Sequence, residues 1–413
     1  MKQRSYVRHA VCLSLGLVSA VPLPLAAQQP AASGSPELGE IVVTGTRREG
    51  VDVSESMRPV DVIGAHALTA QSATNLNDVL RTSVVSMNVQ RFVAQDGSAF
   101  IRPFTLRGLP PDQTLVLVNG KRRHRSALVQ ITNQPLSAGA QGPDLATIPS
   151  IAIERVEVLR DGAASQYGSD AIAGVINFQL KRDRDGGTLL ARAGTTYDGD
   201  GTEYTLQGNL GLPLTADGFF NVSAEYTNAD PTSRGVQRPD AQALINAGNT
   251  AIPAPAQRWG NVEAEAARGF FNAEVAATES VRAYAFGNYS WSSGDTEFFW
   301  RNPNTRLDIF TSVPLTATAG GPRFTFRTQY PGGFTPLFGT TIKDASLTAG
   351  FRGETAGGLK YDLSASGADS EFERGLELIL KQEEAAFTQL GLSTKTIQDW
   401  MRTVEQTVRE GSI

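Results

Sequence analysis

The sequence predicts an α+β domain over about residues 51–182, then antiparallel strands over 183–370, and a helical tail over 371–413. Three observations support this order. The first part ends in β-like runs that are joined by glycine turns. The second part consists of strands in which polar and apolar residues alternate. From Phe372 onward this alternation stops, and apolar residues recur at helical spacing instead.

The chain begins with a segment that has the features of a secretory signal peptide, residues 1–27. Basic residues precede a short apolar core, and small residues follow it. The core is too short to span a bilayer as a helix. Cleavage after Ala20 and cleavage after Ala27 both fit the pattern, so we expect an exported protein with one of these two mature ends.

Composition excludes several functional classes. The chain has 37 Lys and Arg residues against 42 Asp and Glu residues, a net charge of −5, which is not expected of a general nucleic-acid binder. The only cysteine, Cys12, lies in the leader, so the mature chain would have no thiol nucleophile and no cysteine metal site. No later apolar stretch approaches the ~20 residues of a membrane helix, so entry into a membrane would require a β-barrel.

The first part of the chain shows three strand signals and one helix signal. Apolar and charged residues alternate over 153–159, which predicts a half-buried strand, and apolar residues recur at about every second position over 175–180. Upstream, the run 114–118 ends in Asn119-Gly120, which predicts a hairpin turn. An amphipathic helix is predicted over 75–82. Periodicity alone would indicate an ordinary α+β domain.

Longer segments of this part resemble a known family. Thr105–Arg125 and Ile153–Arg182 are similar to the plug of TonB-dependent outer-membrane receptors, and Glu40–Arg47 is similar to the TonB box, which the family places between leader and plug. A lone octamer of this kind could be an ordinary edge strand, but here the three segments occur in the family's order. The resemblance implies a flexible segment with the TonB box over 28–50 and a plug domain over 51–182.

The resemblance also implies partners. An extended segment can add as a strand to the edge of a partner's sheet. TonB is the implied partner, energised by ExbB and ExbD. Outer-membrane lipid and a small-molecule nutrient are further implied partners, whereas no cofactor, metal or nucleic acid is expected, and we expect a monomer. The candidate TonB-binding residues are Glu40, Ile41, Val42, Val43, Thr44 and Gly45.

The second part has the alternation of transmembrane strands. Residues 203–212, 220–227 and 359–366 each place apolar side chains on one face and polar side chains on the other, as strands of a membrane barrel do. Long polar loops are predicted at 229–261 and 297–345. A soluble β-sandwich shows similar alternation and is the alternative interpretation.

The predicted barrel is incomplete relative to the family's 22 strands. Only about eight strands of about ten residues fit between the long loops and the tail, and an eight-stranded barrel has no room for a plug. In the tail, Ile397, Trp400, Met401 and Val404 are spaced as on a C-terminal amphipathic helix. We expect a truncated or frame-altered receptor gene, and the alternative is a tail helix that docks a partner.

Two cationic segments of the predicted plug are candidate ligand-binding sites. By analogy with the family, Gln90–Pro103 is expected to be an apical loop that touches the ligand. The run Lys121–Arg125 could bind an anionic ligand, and a solvated loop is its alternative. The candidate ligand-binding residues are Arg91, Phe92, Asp96 and Arg102 in the first segment, and Arg122, Arg123, His124 and Arg125 in the second.

Three functional classes follow from these patterns. The first is a TonB-dependent receptor for ligand-gated uptake of a scarce nutrient, such as an iron-siderophore complex, across the outer membrane. The second is a transport-incompetent receptor fragment that binds ligand or TonB. An enzyme is not expected, because the sequence has no GxSxG, HExxH or GxxxxGK[ST] motif. The sequence does not identify the ligand, since siderophore, cobalamin, haem and oligosaccharide receptors share the plug.

Overall fold

The structure is a computed structural model, and the residues that it describes are 60–71, 75–93, 97–130, 138–160, 162–314, 321 and 323–375. The predicted signal peptide, the TonB box, Asp96 and the tail beyond Gly375 lie outside these residues. None of the helices within the described ranges is long and apolar enough to cross a membrane.

The first part of the described chain, residues 60–180, is an α+β unit. Its elements in chain order are β1 Val60–Gly64, α1 Ala65–Thr69, α2 Leu76–Ser83, β2 Met87–Val89, β3 Phe104–Leu106, β4 Thr114–Val118, β5 Lys121–Arg122, β6 Ile153–Leu159, α3 Ala164–Tyr167 and β7 Gly174–Leu180. Five strands form one sheet in the order β1-β6-β7-β4-β5, and β2 pairs with β3 in a separate ribbon. Strands β4 and β7 run parallel, and the other neighbours are antiparallel.

Helix α2 confirms the predicted helix. Leu76, Val79 and Leu80 are buried on one face and belong to the main hydrophobic core. The helix begins at a cap, because the side chain of Asn75 accepts a hydrogen bond from the backbone N–H of Asn77 at 2.9 Å. The first turn of α2 therefore has a fixed position, which matters for the charged residues described below.

Strand β6 is more buried than its alternation predicted. Glu157, on the polar face of the strand, is only 1% exposed. Its carboxylate accepts a hydrogen bond from Nε of Arg155 at 2.9 Å, and Nδ2 of Asn177 lies 3.4 Å from it. Because β6 lies between β1 and β7, and these side chains satisfy the carboxylate, a charged residue is accommodated where the pattern predicted an exposed one.

The hairpin between β4 and β5 confirms the predicted turn. Asn119 and Gly120 both have positive φ angles, 49° and 76°, which a two-residue turn of this kind requires. Val118 pairs with Lys121 across the turn. The side-chain oxygen of Asn119 also accepts a hydrogen bond from the backbone N–H of Leu180 at 3.0 Å, so the turn is attached to the end of β7.

The rest of the described chain forms an antiparallel sheet. Its strands are β8 Gly187–Gly194, β9 Glu203–Pro213, β10 Phe219–Ala229, β11 Glu263–Ala276, β12 Val281–Glu297, β15 Leu337–Glu354 and β16 Lys360–Gly375, and between them lie α4 Pro239–Asn246, α5 Leu307–Phe310, β13 Val313–Pro314, β14 Arg323–Phe324 and α6 Phe326–Gln329. Among the described residues, seven strands pair in the order β16-β15-β12-β11-β10-β9-β8, and β13 pairs with β14.

The strands β9 and β10 of this sheet bury their polar face and expose their apolar face. On β9, Gln207 and Asn209 are buried, whereas Leu206 and Leu210 are 43% and 44% exposed. Strand β10 repeats the pattern with a buried Glu225. The two faces predicted for 203–212 and 220–227 are therefore confirmed. Over the third predicted segment, 359–366, residues of both faces are exposed.

The predicted loop 297–345 was wrong at its end, because strand β15 already begins at Leu337. In this stretch the inward-facing Phe338 and Ile342 are apolar where the alternation requires polar residues. They pack on the α+β unit: the Phe338 ring lies 6.0 Å from that of Phe100, and Ile342 belongs to a core cluster with Leu128. These contacts with a distant part of the chain explain why the polar and apolar alternation is interrupted at the start of β15, where a loop was predicted.

The last described strand also runs further than predicted. Strand β16 continues to Gly375, past residue 370 where the strand region was expected to end. It remains paired with β15 over this length, since Phe372 lies opposite Ile342 in the register. Phe372 thus belongs to a strand, so the predicted start of the helical tail at residue 371 is wrong.

The two long connections, residues 230–262 and 298–336, contact each other at one end of the sheet. Trp300 packs in a small core with Ile252 and Ala256, and Nδ2 of Asn302 donates a hydrogen bond to Asp240 at 3.2 Å. The connections therefore contain ordered structure of their own, which polar composition alone did not predict.

Candidate ligand cavity and domain interface

A cavity of about 730 Å³ lies between the α+β unit and the polar face of the sheet. On the α+β side it is lined by Asp78, Arg91, Phe92 and Arg102. On the sheet side it is lined by strand ends next to the long connections. Three of the four residues predicted for the apical loop therefore meet in one place. The fourth, Asp96, lies outside the described residues.

The inner face of the sheet is arranged in rows, because pairing places residues of neighbouring strands side by side. One row contacts the α+β unit and includes charged residues. The next row, nearer the long connections, has small, hydroxyl or apolar side chains. The members of the first row are Gln207, Glu225, Arg268, Ser290 and Asp344, and those of the second are Thr205, Thr227, Ala266, Ser292 and Ile342.

Asp78 is the centre of the charges at the floor of the cavity. Arg102 donates to both of its carboxylate oxygens, at 3.0 Å each, and Arg91 donates to one of them at 2.6 Å. Arg102 also donates to Oδ1 of Asn75 at 3.3 Å, which attaches it to the cap of α2. Helix α2 and the apical segment are thus joined through one carboxylate.

The pKa of Asp78 lies below its usual value. Burial alone would raise the pKa, but the hydrogen bond and charge of Arg102, together with the charges of Arg91 and Arg81, outweigh this effect. Asp78 is therefore ionised at neutral pH.

The charged row of the sheet meets the α+β unit at two places, one of which is Gln207. Its Nε2 donates to the hydroxyl of Ser150 at 3.1 Å and to the carboxylate of Glu225 at 2.5 Å. Glu225 in turn forms an ion pair with Arg268 of the next strand. A continuous polar network therefore connects the α+β unit with three strands.

The second place is the ion pair between Arg123 and Asp344, which we call the Arg123 anchor. The side chains of Arg123 and Asp344 are 4% and 3% exposed, and their N–O distance is 2.6 Å. Arg123 also donates to Oδ1 of Asn288 at 2.6 Å and to the hydroxyl of Thr147 at 2.9 Å. This buried ion pair has several further hydrogen bonds, which is the condition under which such a pair is tolerated.

The neighbours of Arg123 also bind carboxylates of the chain. Nε2 of His124 lies 2.6 Å from Asp344, and Nζ of Lys121 lies 2.9 Å from Asp362. Arg122 forms an ion pair with Asp170, and Arg125 lies 3.8 Å from the same carboxylate. None of Arg122, Arg123, His124 and Arg125 is among the residues that line the described cavity. Their ligand-binding role stays a prediction, and the structure adds contacts that attach this run to the sheet and to Asp170.

Asp144 is a cavity residue that the sequence analysis missed. It is buried, and its Oδ1 accepts a hydrogen bond from the backbone N–H of Ala146 at 2.9 Å. Burial raises the pKa of Asp144 to about 6; the bond from Ala146 and the charges of Arg268 and Arg123 oppose this shift, and the charge of Asp344 adds to it. The only sequence signal was an Asp before a short turn, which is common in loops.

Arg192 of strand β8 is a second residue that the sequence did not single out. Its guanidinium lines the cavity and donates a hydrogen bond to the carbonyl of Thr69, the last residue of α1. No group of three or more His, Cys, Asp or Glu side chains is placed to hold a metal ion within the described ranges.

Together, the fold and the cavity define a protein in which a compact α+β unit covers the polar face of an antiparallel sheet whose other face is apolar and exposed. Residues 52–175 match the model of a protein family that is described as "TonB-dependent Receptor Plug Domain". Over 198 residues the chain is 36% identical to the vitamin B12 transporter BtuB of Vibrio vulnificus (strain YJ016). The aligned region is 47% of this chain and 28% of that protein.

Two solved structures are also similar. The siderophore receptor PirA from Acinetobacter baumannii has 20% identity and a TM-score of 0.48, over 78% of this chain and 41% of that one. The ferric enterobactin receptor PfeA from Pseudomonas aeruginosa has 17% identity and a TM-score of 0.49, over 77% of this chain and 41% of that one.

The α+β unit, residues 60–180, is therefore similar to the plug domain of TonB-dependent receptors. The chain spans less than half the length of each of these relatives.

Proposed function

We propose that this chain contains the plug domain and the first strands of a TonB-dependent receptor, for ligand-gated uptake of a scarce nutrient across the bacterial outer membrane. The observation that carries the proposal is the cavity in which Arg91, Phe92 and Arg102 face the polar side of the sheet. An iron-siderophore complex is the nutrient that we favour. Cobalamin is the alternative, because the relative from Vibrio vulnificus is a vitamin B12 transporter.

The order of strands in the plug sheet suggests how a pull would act. The candidate TonB-binding residues 40–45 precede β1, which is an edge strand that pairs with β6. The opposite edge is β5, next to the Arg123 anchor. Force on the segment before β1 would therefore pull on one edge strand of the plug sheet, while Arg123 attaches the opposite edge to the seven-stranded sheet. We propose that Ile41–Thr44 adds as a strand to the edge of a sheet in TonB, which is energised by ExbB and ExbD, and that the resulting pull rearranges the plug in this way.

The test of this step is a proline in the TonB box. Val42→Pro or Val43→Pro removes a backbone donor that strand pairing needs, so uptake of a radiolabelled nutrient is expected to be lost while ligand binding is kept. Ala32→Pro, in the segment before the box, is the matched control and is expected to leave uptake unchanged. Uptake that persists in both box variants would contradict the proposal.

Membrane insertion can be tested on the exposed apolar face. Leu210→Arg places a charge where we propose that lipid lies, and is expected to destabilise the inserted form by about 2–3 kcal/mol. The measurement is the fraction of protein inserted into lipid vesicles over a urea titration. Tyr197→Arg, at a fully exposed side chain on the connection between β8 and β9, is the control and is expected to have little effect. Equal insertion of both variants would contradict a lipid contact at Leu210.

The signal peptide and its cleavage are also proposals. N-terminal sequencing of protein recovered from the outer membrane is expected to begin at Val21 or at Gln28, following cleavage after Ala20 or Ala27. A mature protein that keeps Met1 would contradict export by this route.

The second candidate function is a receptor fragment that binds ligand or TonB without transport. The cavity between the α+β unit and the sheet serves this function as well, because binding of a ligand there needs no transport step. The two candidates differ in one measurement: a transporter forms a heat-modifiable, membrane-inserted species and delivers nutrient to the periplasm, whereas the fragment binds nutrient or TonB and delivers none.

A further inference from the structure

Three arginines surround one carboxylate at the floor of the cavity. We call this group the Asp78 cluster; it consists of Asp78, Arg81, Arg91 and Arg102. Arg102 and Arg91 bond to the carboxylate as described above, and Nε of Arg81 lies 3.8 Å from it. One ionised carboxylate neutralises only one of the three guanidinium groups. Within the described residues, the cluster therefore has two positive charges in excess.

The three arginines differ in what they can offer to a ligand. The side chain of Arg102 is 9% exposed and is held at both carboxylate oxygens. Those of Arg91 and Arg81 are both 47% exposed, but only Arg91 lines the cavity. A guanidinium has five N–H donors, and Asp78 accepts from a single nitrogen of Arg91. Of the two arginines of the cluster that line the cavity, Arg91 is thus the more exposed, and one of its nitrogens bonds to Asp78 whereas two nitrogens of Arg102 do.

The opposite wall does not counter this charge near the floor. The second row of the sheet carries hydroxyl groups at Thr205, Thr227 and Ser292, which are neutral and can donate hydrogen bonds. The carboxylates of Glu203 and Asp230 lie further out, where β9 begins and β10 ends. The carboxylate of Asp144 on the plug side offsets one of the two excess charges of the cluster. The cavity is therefore positive by one charge at the plug and negative at the rim, so an anionic group is attracted to the floor.

We propose that the ligand of this cavity presents an anionic oxygen group, a carboxylate, phosphate or catecholate, to Arg91, which gives up its bond to Asp78 and binds the ligand instead. The exchange leaves Asp78 neutralised by Arg102, so it uncovers no buried charge. Guanidinium groups bind such oxygen pairs with two parallel hydrogen bonds, which gives both affinity and orientation. This inference rests on the proposed ligand-binding function and names the chemistry of its ligand.

The experiment compares two variants that remove the same charge beside Asp78. Binding of ferric citrate and of inorganic phosphate to the full 413-residue chain in detergent is measured by titration calorimetry at low salt, with maltotriose as a neutral probe. Arg91→Gln is expected to weaken anion binding at least about tenfold, and Arg81→Gln by less than about twofold. Arg91→Lys keeps the charge without the planar fork and is expected to give an intermediate affinity. Added salt is expected to weaken binding more in the unsubstituted chain than in Arg91→Gln.

The inference is overturned if Arg81→Gln and Arg91→Gln weaken anion binding equally, because the effect would then come from the charge of the cluster rather than from contact in the cavity. It is also overturned if the unsubstituted chain binds neither anion more tightly than it binds maltotriose. These outcomes are separate from a failure of the proposed function. TonB-dependent uptake that is unchanged by Arg91→Gln would keep the function and reject the anionic contact. Anion binding that depends on Arg91 without any TonB-dependent uptake would keep the contact and reject the transporter.

Discussion

The two cationic segments of the plug domain, residues 91–102 and 121–125, looked alike in the sequence but have different surroundings in the structure. Arg123 and His124 reach a carboxylate on the sheet, Asp344, and are part of the domain interface. Arg91 and Arg102 share a carboxylate of the plug itself and line the cavity. The location of the nearest carboxylate therefore distinguishes the two segments. An arginine whose partner lies on the sheet attaches the plug to the sheet, whereas an arginine whose partner lies in the plug remains in the cavity, where a ligand can reach it.

The Arg123 anchor allows the strongest test of this distinction. Arg123→Ala leaves the buried carboxylate of Asp344 without its main partner and is expected to lower the free energy of unfolding by about 3–5 kcal/mol. The measurement is urea unfolding in detergent, followed by limited proteolysis of the plug. Arg125→Ala, at an exposed side chain in the same run, is the control and should cost at most about 1 kcal/mol. Similar losses in the two variants would contradict an anchoring role that is particular to Arg123.

Asp144 tests how the two regions are connected electrostatically. It lines the cavity, and the charges of Arg268, Arg123 and Asp344 act on it. Because its pKa in the folded protein, about 6, lies above the unfolded value of 3.8, its contribution to stability is complete below about pH 4 and is lost as pH rises through about 6. Asp144→Asn should therefore stabilise the protein by about 2 kcal/mol at neutral pH and have little effect at acidic pH.

The measurement for Asp144 is the urea midpoint of both proteins over this pH range. Asp78 is a useful comparison, since its pKa is lowered and its stabilising contribution is lost only as pH falls below the normal titration range of a carboxylate. A difference between Asp144→Asn and the unsubstituted chain that does not change with pH would show that Asp144 is not the titrating group.

Much of the plug could be predicted from the sequence because its signals are local. The Asn119-Gly120 turn, the apolar face of α2 and the strand at β7 depend on residues next to one another in the chain. The alternation of β9 and β10 likewise predicted which face is polar. Signals of this kind need no knowledge of the rest of the fold.

The site could be predicted only in part, because its decisive contacts join residues that are far apart in sequence. Arg123 and Asp344 are separated by 221 positions, and nothing near either residue indicates the other. Arg91, Phe92 and Arg102 were selected by analogy with the family, whereas Asp144 and Arg192 have no pattern that distinguishes them from ordinary loop and strand residues. The same reason explains the wrong end of the loop before β15, where Phe338 is apolar because it packs on Phe100.

The smallest expected effect concerns the edge at which the apical segment is attached to the sheet. A Cβ atom on Gly294 of β12 would lie 2.3 Å from the carbonyl oxygen of Glu263 and 3.0 Å from the ring of Phe100. Gly294→Ala therefore forces the paired strand or the Phe100 ring to move and is expected to cost about 1–2 kcal/mol. Gly208→Ala on β9 is the matched control, because its Cβ would meet only Leu189, at 3.9 Å.

If the apical segment is positioned through Phe100, Gly294→Ala should also weaken anion binding at Arg91 in the calorimetric assay, whereas Gly208→Ala should not. Equal unfolding midpoints and equal anion affinities in the two variants would show that the contact at Gly294 does not position the cavity residues.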